Sequence, residues 1–160
     1  MTPLVASDLG LVREGEQRDF VLHRRLARPD LPVLDHVIVA ATGVWLVRRE
    51  HVRCARVTVR RRHLTGAPTL RIGDRDRTGL VRAFDEQVTA VRSMLFDFLD
   101  APVQAALLLP GAEFPLLRTL TVGDHLVVRP SQLATHVHAR GPLRRSRARE
   151  VAQALDARLD

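Results

Sequence analysis

A run of seven residues, VQAALLL at 103–109, is apolar on both parities and is closed off by Pro102 and Pro110. A strand that shows water neither face has to be covered on both, so the run predicts a central strand of a sheet with helices on its two sides. It is far shorter than the roughly 18 apolar residues a membrane span requires, and no other apolar run exceeds it, so no membrane partner is expected. The remaining segments have to supply the covering layers.

The strongest helical signal lies just upstream. In RTGLVRAFDEQVTAVRSMLFDFLD, residues 77–100, Leu80, Phe84, Val88, Val91, Leu95 and Phe98 recur at steps of three and four and form one apolar stripe. Asp76 or Thr78 is placed to cap its start. Pro130 opens a short helix through Leu133 and Val137 that Gly141-Pro142 terminates, and a closing helix carries Val151, Leu155 and Leu159 with Ser146 as cap.

Strands dominate the first half. DFVLHRRLA at 19–27 reads as an opening strand with Phe20, Leu22 and Leu26 on one side, a helix from near Gly15 being the competing reading. Pro29 and Pro32 then provide a turn. LDHVIVAATGVWLVRRE, residues 34–50, reads as two apolar strands around a short turn. ARVTVRR alternates in the period-2 manner, TLRIG is its short partner, and HLVVRP gives the last strand. The fold class expected is α/β (α+β): a mixed central sheet with an N-terminal antiparallel hairpin region and helices on both faces. A chain of 160 residues forms one domain, here 1–160, able to bury about two thirds of its unfolded surface. MTPLVASDLG has neither a basic start nor a long apolar stretch, so no secretory leader and a cytoplasmic location are expected.

Cys54 is the only cysteine, which excludes an internal disulfide and any zinc site built from several thiolates; it is expected to be a small, buried or half-buried filler. His136 and His138 are two apart and point to different sides of a helix. The net charge of +7 comes from arginine, since the chain contains no lysine. Residues 48–63 hold seven arginines against one acid, and 140–149 hold five against none. Such stretches form phosphate-attracting surface or merely solvated faces, and composition does not choose between the two.

The hairpin carries the chemistry. If Ala41-Thr42 turns the chain, partner numbers sum to 83, which sets Asp35 across from Arg48 on one face with Glu50 diagonally beyond. A three-residue turn would move Arg48 to the other face. An acid on one strand and a spaced charged pair on its neighbour resembles the active-site hairpin of PD-(D/E)xK nucleases. More narrowly, LDHVIVAATGVWLV, GDRDRTGLVRAFDEQVTAVRSML, PVQAALLLPGAEF and GPLRRSRAREVAQALDARL resemble, in order and spacing, the nuclease-related (NERD) domain over about residues 19–158.

The resemblance implies a restriction-endonuclease-like fold and a site at Asp35, Arg48, Glu50 and Gln87. In the family the third strand ends in Glu-x-Lys, and its acids, often with an upstream Gly-Glu, hold a divalent ion such as Mg²⁺. Here Arg48 stands where the glutamate is expected and Glu50 where the lysine is, while Gly15-Glu16 sits close before the first strand. Arginine stabilises phosphate charge but is a poor general base. At about 5 Å from carboxylates it would repel a divalent cation by several kcal/mol at an effective dielectric near 20.

The expectation is therefore a catalytically inactive domain without cofactor, binding DNA through Arg53, Arg56, Arg60, Arg61 and Arg62. Two alternatives stand beside it. One is an active nuclease with Mg²⁺ on Asp35 and Glu50 and Arg48 clamping phosphate; the other is a structural or protein-interaction module. Gln87 reads as a site residue or a boundary glutamine, Glu86 as a solvated acid, His36 as a packing residue and Trp45 as core.

Overall fold

The computed structural model describes residues 20–24, as backbone only, together with 36–61, 63–116 and 118–159. Nine strands and three helices follow in the order β1 (Phe20–Arg24), β2 (His36–Ala40), β3 (Gly43–Arg49), β4 (Val57–Arg61), β5 (Pro68–Ile72), β6 (Arg75–Asp76), α1 (Thr78–Met94), β7 (Val103–Leu108), β8 (Leu120–Val122), β9 (His125–Val128), α2 (Pro130–Val137) and α3 (Arg145–Leu159). Six of the strands form a mixed sheet in the order β1-β2-β3-β7-β9-β8. β3, β7 and β9 run parallel at its centre, with antiparallel partners outside them.

The two-sided apolar run is β7, and the sheet is covered as its composition requires. On one face Val37, Val39, Val44, Leu46, Ala105 and Leu107 meet α1 through Val81, Phe84, Val88 and Val91, and α3 through Val151 and Leu155. On the other face Ile38, Trp45, Val47, Ala106 and Leu108 meet α2 through Leu133 and Val137. Alternate residues of each strand thus feed opposite layers, the period of two expected of a pleated strand. At about 25 cal/mol per Å² of apolar area, burial in these two layers is the main favourable term for the fold.

Three features depart from the sequence expectations. β4, β5 and β6 do not join the central sheet but form an antiparallel sheet of their own, laid against the α1 face through Val57 and Leu70. Alternation marks a half-buried strand without saying which sheet it joins. The helical stripe expected to reach residue 100 stops at Met94, with Leu95 closing the last turn, so Phe98 packs from the following loop. Ser146 is inside the first turn of α3 and not its cap.

The N-cap position of α1 is Arg77, neither of the two expected caps, yet the residue before it serves the first helical N–H. Asp76 Oδ1 accepts the Thr78 N–H at 2.9 Å, while the Thr78 hydroxyl accepts the Leu70 N–H at 2.9 Å and ties the helix to β5. Hydrogen bonding from the Thr78 side chain and N–H holds the Asp76 carboxyl below the usual carboxylate range. In β1 a register shift falls between Phe20 and Leu22. Among the described residues no helix is long and apolar enough to cross a membrane.

Candidate nucleic-acid interface

The β2–β3 hairpin turns at Ala41-Thr42, and its pairs run from Ala40↔Gly43 to His36↔Val47, each summing to the expected 83. Arg48 therefore shares the face of Val44 and Leu46, whereas Trp45 and Val47 look toward α2. Trp45 is core, and its indole N–H donates to Thr42 Oγ1 at 2.8 Å. His36 is buried, and Glu86 is exposed on α1. Asp35, Gly15, Glu16 and Arg62 lie outside the described residues.

Arg48 and Glu50 are two apart on one extended segment and so project to the same side. Arg48 donates from Nε at 3.1 Å and from Nη2 at 2.8 Å, both to Glu50 Oε1. Their side chains are 22% and 36% exposed, so the pair is half-sheltered at the mouth of the sheet. The partner that sequence reasoning assigned to Arg48 was Asp35, across the hairpin. Its partner among the described residues is the next same-face residue of its own chain segment.

Backbone bonds fix where this pair sits. Past the end of β3 the chain keeps pairing along the segment that follows β7: Glu50 N–H donates to Leu108 O at 2.9 Å, Val52 N–H to Pro110 O at 3.2 Å and Cys54 N–H to Gly111 O at 3.1 Å. Gly111 has φ +78, and a Cβ there would fall 2.4 Å from Val52 O, so this close approach requires glycine. The structure also corrects the expectation for Cys54. It is exposed, with φ +45.

The pair stands beside a cleft of about 270 Å³ between the segment after β3 and the β5–β6–α1 corner. Its walls include Glu50, Arg53, Arg75 and Arg77, with Ile72 and Leu80 as apolar floor. Of the arginines expected to bind nucleic acid, Arg53 enters this cleft. Arg60 faces away from it: its β5 partner is Thr69, and it shares the outer face of the small sheet with Thr58 and Arg71. Arg61 takes the opposite parity, and Arg56, whose backbone forms a β-bridge with Glu113, is exposed, as are Arg53, Arg60 and Arg61. The cluster is thus not one patch. Gln87 is brought to the buried face of α1, 1% exposed, among Phe84, Val88 and Val91.

Arg75 and Arg77 were missed as site residues because they were read only as part of a turn. The signal for them was present in DRDRT: two arginines two positions apart in an extended stretch point the same way. A second cleft, of about 460 Å³, lies at the other end of α1 and holds His125, whose Nε2 is 2.7 Å from Asp85 Oδ1. The Asp85 side chain is 74% exposed, and the nearby Thr89 hydroxyl is committed to Asp85 O at 2.8 Å. That arrangement ties β9 to α1 and supplies no activated nucleophile. Comparisons of the chain with protein-family models, with curated proteins and with solved structures each return no match.

Proposed function

We propose that the chain is a nuclease-related, restriction-endonuclease-like domain of the cytoplasm that binds nucleic acid without cutting it. The observation that carries the reading is the Arg48–Glu50 pair, with both donor atoms on one carboxylate oxygen at 2.8 and 3.1 Å. A hard divalent ion needs at least two close carboxylates with free lone pairs. Here the position matching the family's second acid is a cation, and the remaining glutamate is already neutralised by it. The same pairing leaves the attraction of phosphate to the arginines beside it, Arg53, Arg75 and Arg77.

Two measurements on the full chain test the proposal. DNA, single- and double-stranded, is incubated with Mg²⁺ or Mn²⁺ beside an Asp35→Ala variant, and binding to the same DNA is titrated against salt. The expected result is no metal-dependent cleavage, together with an affinity that falls linearly on a log–log plot, by about 0.7 per phosphate contact on a single strand. Cleavage that disappears in Asp35→Ala overturns the inactive half. Binding that is absent or indifferent to salt overturns the nucleic-acid half.

A further inference from the structure

We infer that the cleft between Glu50 and Arg77 is a receptor for a terminal phosphate of a nucleic-acid strand. The inference rests on the nucleic-acid reading above and adds to it the part of the strand that is recognised. Arg53, Arg75 and Arg77 all line this one cleft, and among the described residues none of the three makes an ion pair. Three arginines against two lining carboxylates, Glu50 and Asp74, leave the cleft with an excess of positive charge. The chain keeps these arginines at a corner whose backbone is tightly fixed. Gly73 N–H donates to Arg56 O at 2.9 Å, and Arg77 N–H to Leu70 O at 2.8 Å.

Charge and size together select the ligand. Glu50 lines the cleft too, but Arg48 neutralises it, which leaves three lining arginines against one lining carboxylate, Asp74. The balance is two positive charges. A phosphate inside a strand carries one negative charge, whereas a terminal phosphomonoester carries about 1.5 to 2 near neutral pH. Planar guanidiniums suit its oxygens, because each donates two parallel bonds to a tetrahedral anion.

The cavity of about 270 Å³ is near the lower bound of pockets that take small organic ligands. It has room for one phosphate with its sugar, whereas grooves that track a single strand span several nucleotides. Ile72, Leu80 and Ala55 give that sugar an apolar floor. The Thr78 N–H at the start of α1 is not open to an anion, because Asp76 Oδ1 already accepts it.

The test uses octanucleotides of one sequence bearing a 5′-phosphate, a 3′-phosphate or hydroxyls at both ends, with binding followed by fluorescence anisotropy. The wild-type chain is expected to bind one phosphorylated form at least tenfold more tightly than the hydroxyl form, and which form it prefers identifies the strand end. Arg75→Gln/Arg77→Gln is expected to bind all three alike. Arg53→Gln, in the exposed segment after β3, reports independently should the double variant melt early. Equal binding of all three by the wild type, or a preference that survives in both variants, overturns the receptor and leaves the broader nucleic-acid reading standing. Failure to bind any of the three overturns both.

Discussion

Arg48 places both of its donors on Glu50, and this pairing marks how far sequence reasoning reaches at the scale of single residues. The two-residue turn, the register and the face of Arg48 were all legible, because a hairpin's period of two leaves few choices. The partner within the same strand was not, since the alternation that sets Arg48 opposite Asp35 also sets it beside Glu50. The exposure of the pair predicts a small energetic role. Arg48→Ala should lower stability in urea unfolding by no more than about 1 kcal/mol, as water screens half-exposed pairs. A loss of several kcal/mol would mean that Arg48 is buried against more than Glu50.

Gly141 makes the opposite prediction. A Cβ there would fall 2.1 Å from Ala41 O, with backbone atoms of Ala41 and Thr42 around it, because the Leu143 N–H bonds Ala41 O at 3.0 Å and draws the chain onto the hairpin turn. Sequence reading saw Gly141 only as a helix breaker. Gly141→Ala should cost about 1–3 kcal/mol, the usual range for overpacking, while Gly79→Ala, with open space around its Cβ on α1, should gain up to about 1 kcal/mol. Equal effects in denaturant melts would remove the close approach as the reason for glycine at 141.

At the scale of elements, α1 and α3 show what periodicity conveys and what it leaves out. The stripe named Phe84, Val88 and Val91 on the buried face of α1, but Leu80 is only half-buried while Val81 and Gln87, outside the stripe, are buried. The stripe ran on through Leu95 and Phe98 because a loop can seat apolar residues at helical spacing by chance. Leu95 and Phe98 seat that loop on the core, and α3 adds charged contacts to it. Arg158 pairs with Asp97 at 2.8 Å and lies 5.2 Å over Phe96, and Arg147 pairs with Asp100 at 2.8 Å and lies 4.5 Å over Phe98. Such long-range partners, 61 and 47 residues apart, leave no local trace in a sequence.

The same pairs set a pH dependence. Hydrogen bonds from Arg158 and Arg147 hold the carboxyls of Asp97 and Asp100 below their ordinary range. An unfolded chain, with these carboxyls near about 3.9, takes up their protons first, so the stabilisation is complete above that value and is lost as pH falls through the folded values. The melting temperature should therefore drop below about pH 4. The drop should be shallower in Asp97→Asn/Asp100→Asn, whose residues no longer titrate. An unchanged acid slope in that variant would show that the clamp contributes nothing to folding.

Among the described residues, two groups of arginines lie toward opposite ends of β3. The central layer was legible because VQAALLL needed cover on both sides. The separate β4–β6 sheet was not, and with it went the placement of Arg75 and Arg77. β3 runs from the end where Leu143 bonds Ala41 to the end where Arg48 meets Glu50, a span of about 20 Å at roughly 3.3 Å per residue. Arg144, Arg145 and Arg149, all exposed, belong to the first end, and the cleft arginines to the second. This separation allows a charge-matched comparison. Arg53→Gln/Arg75→Gln/Arg77→Gln and Arg144→Gln/Arg145→Gln/Arg149→Gln each remove three charges from the same net +7. If overall charge governed binding, both would weaken an oligonucleotide equally and flatten its salt dependence equally. If contact at one end governs it, only the cleft variant should lose affinity. Its log–log salt slope should become shallower by one or two contacts, about 0.7 to 1.4, while the α3 variant keeps the wild-type slope. Matching losses in the two variants would reduce the arginines of the cleft to a share of the general charge and remove the reason to assign this end of the sheet a ligand.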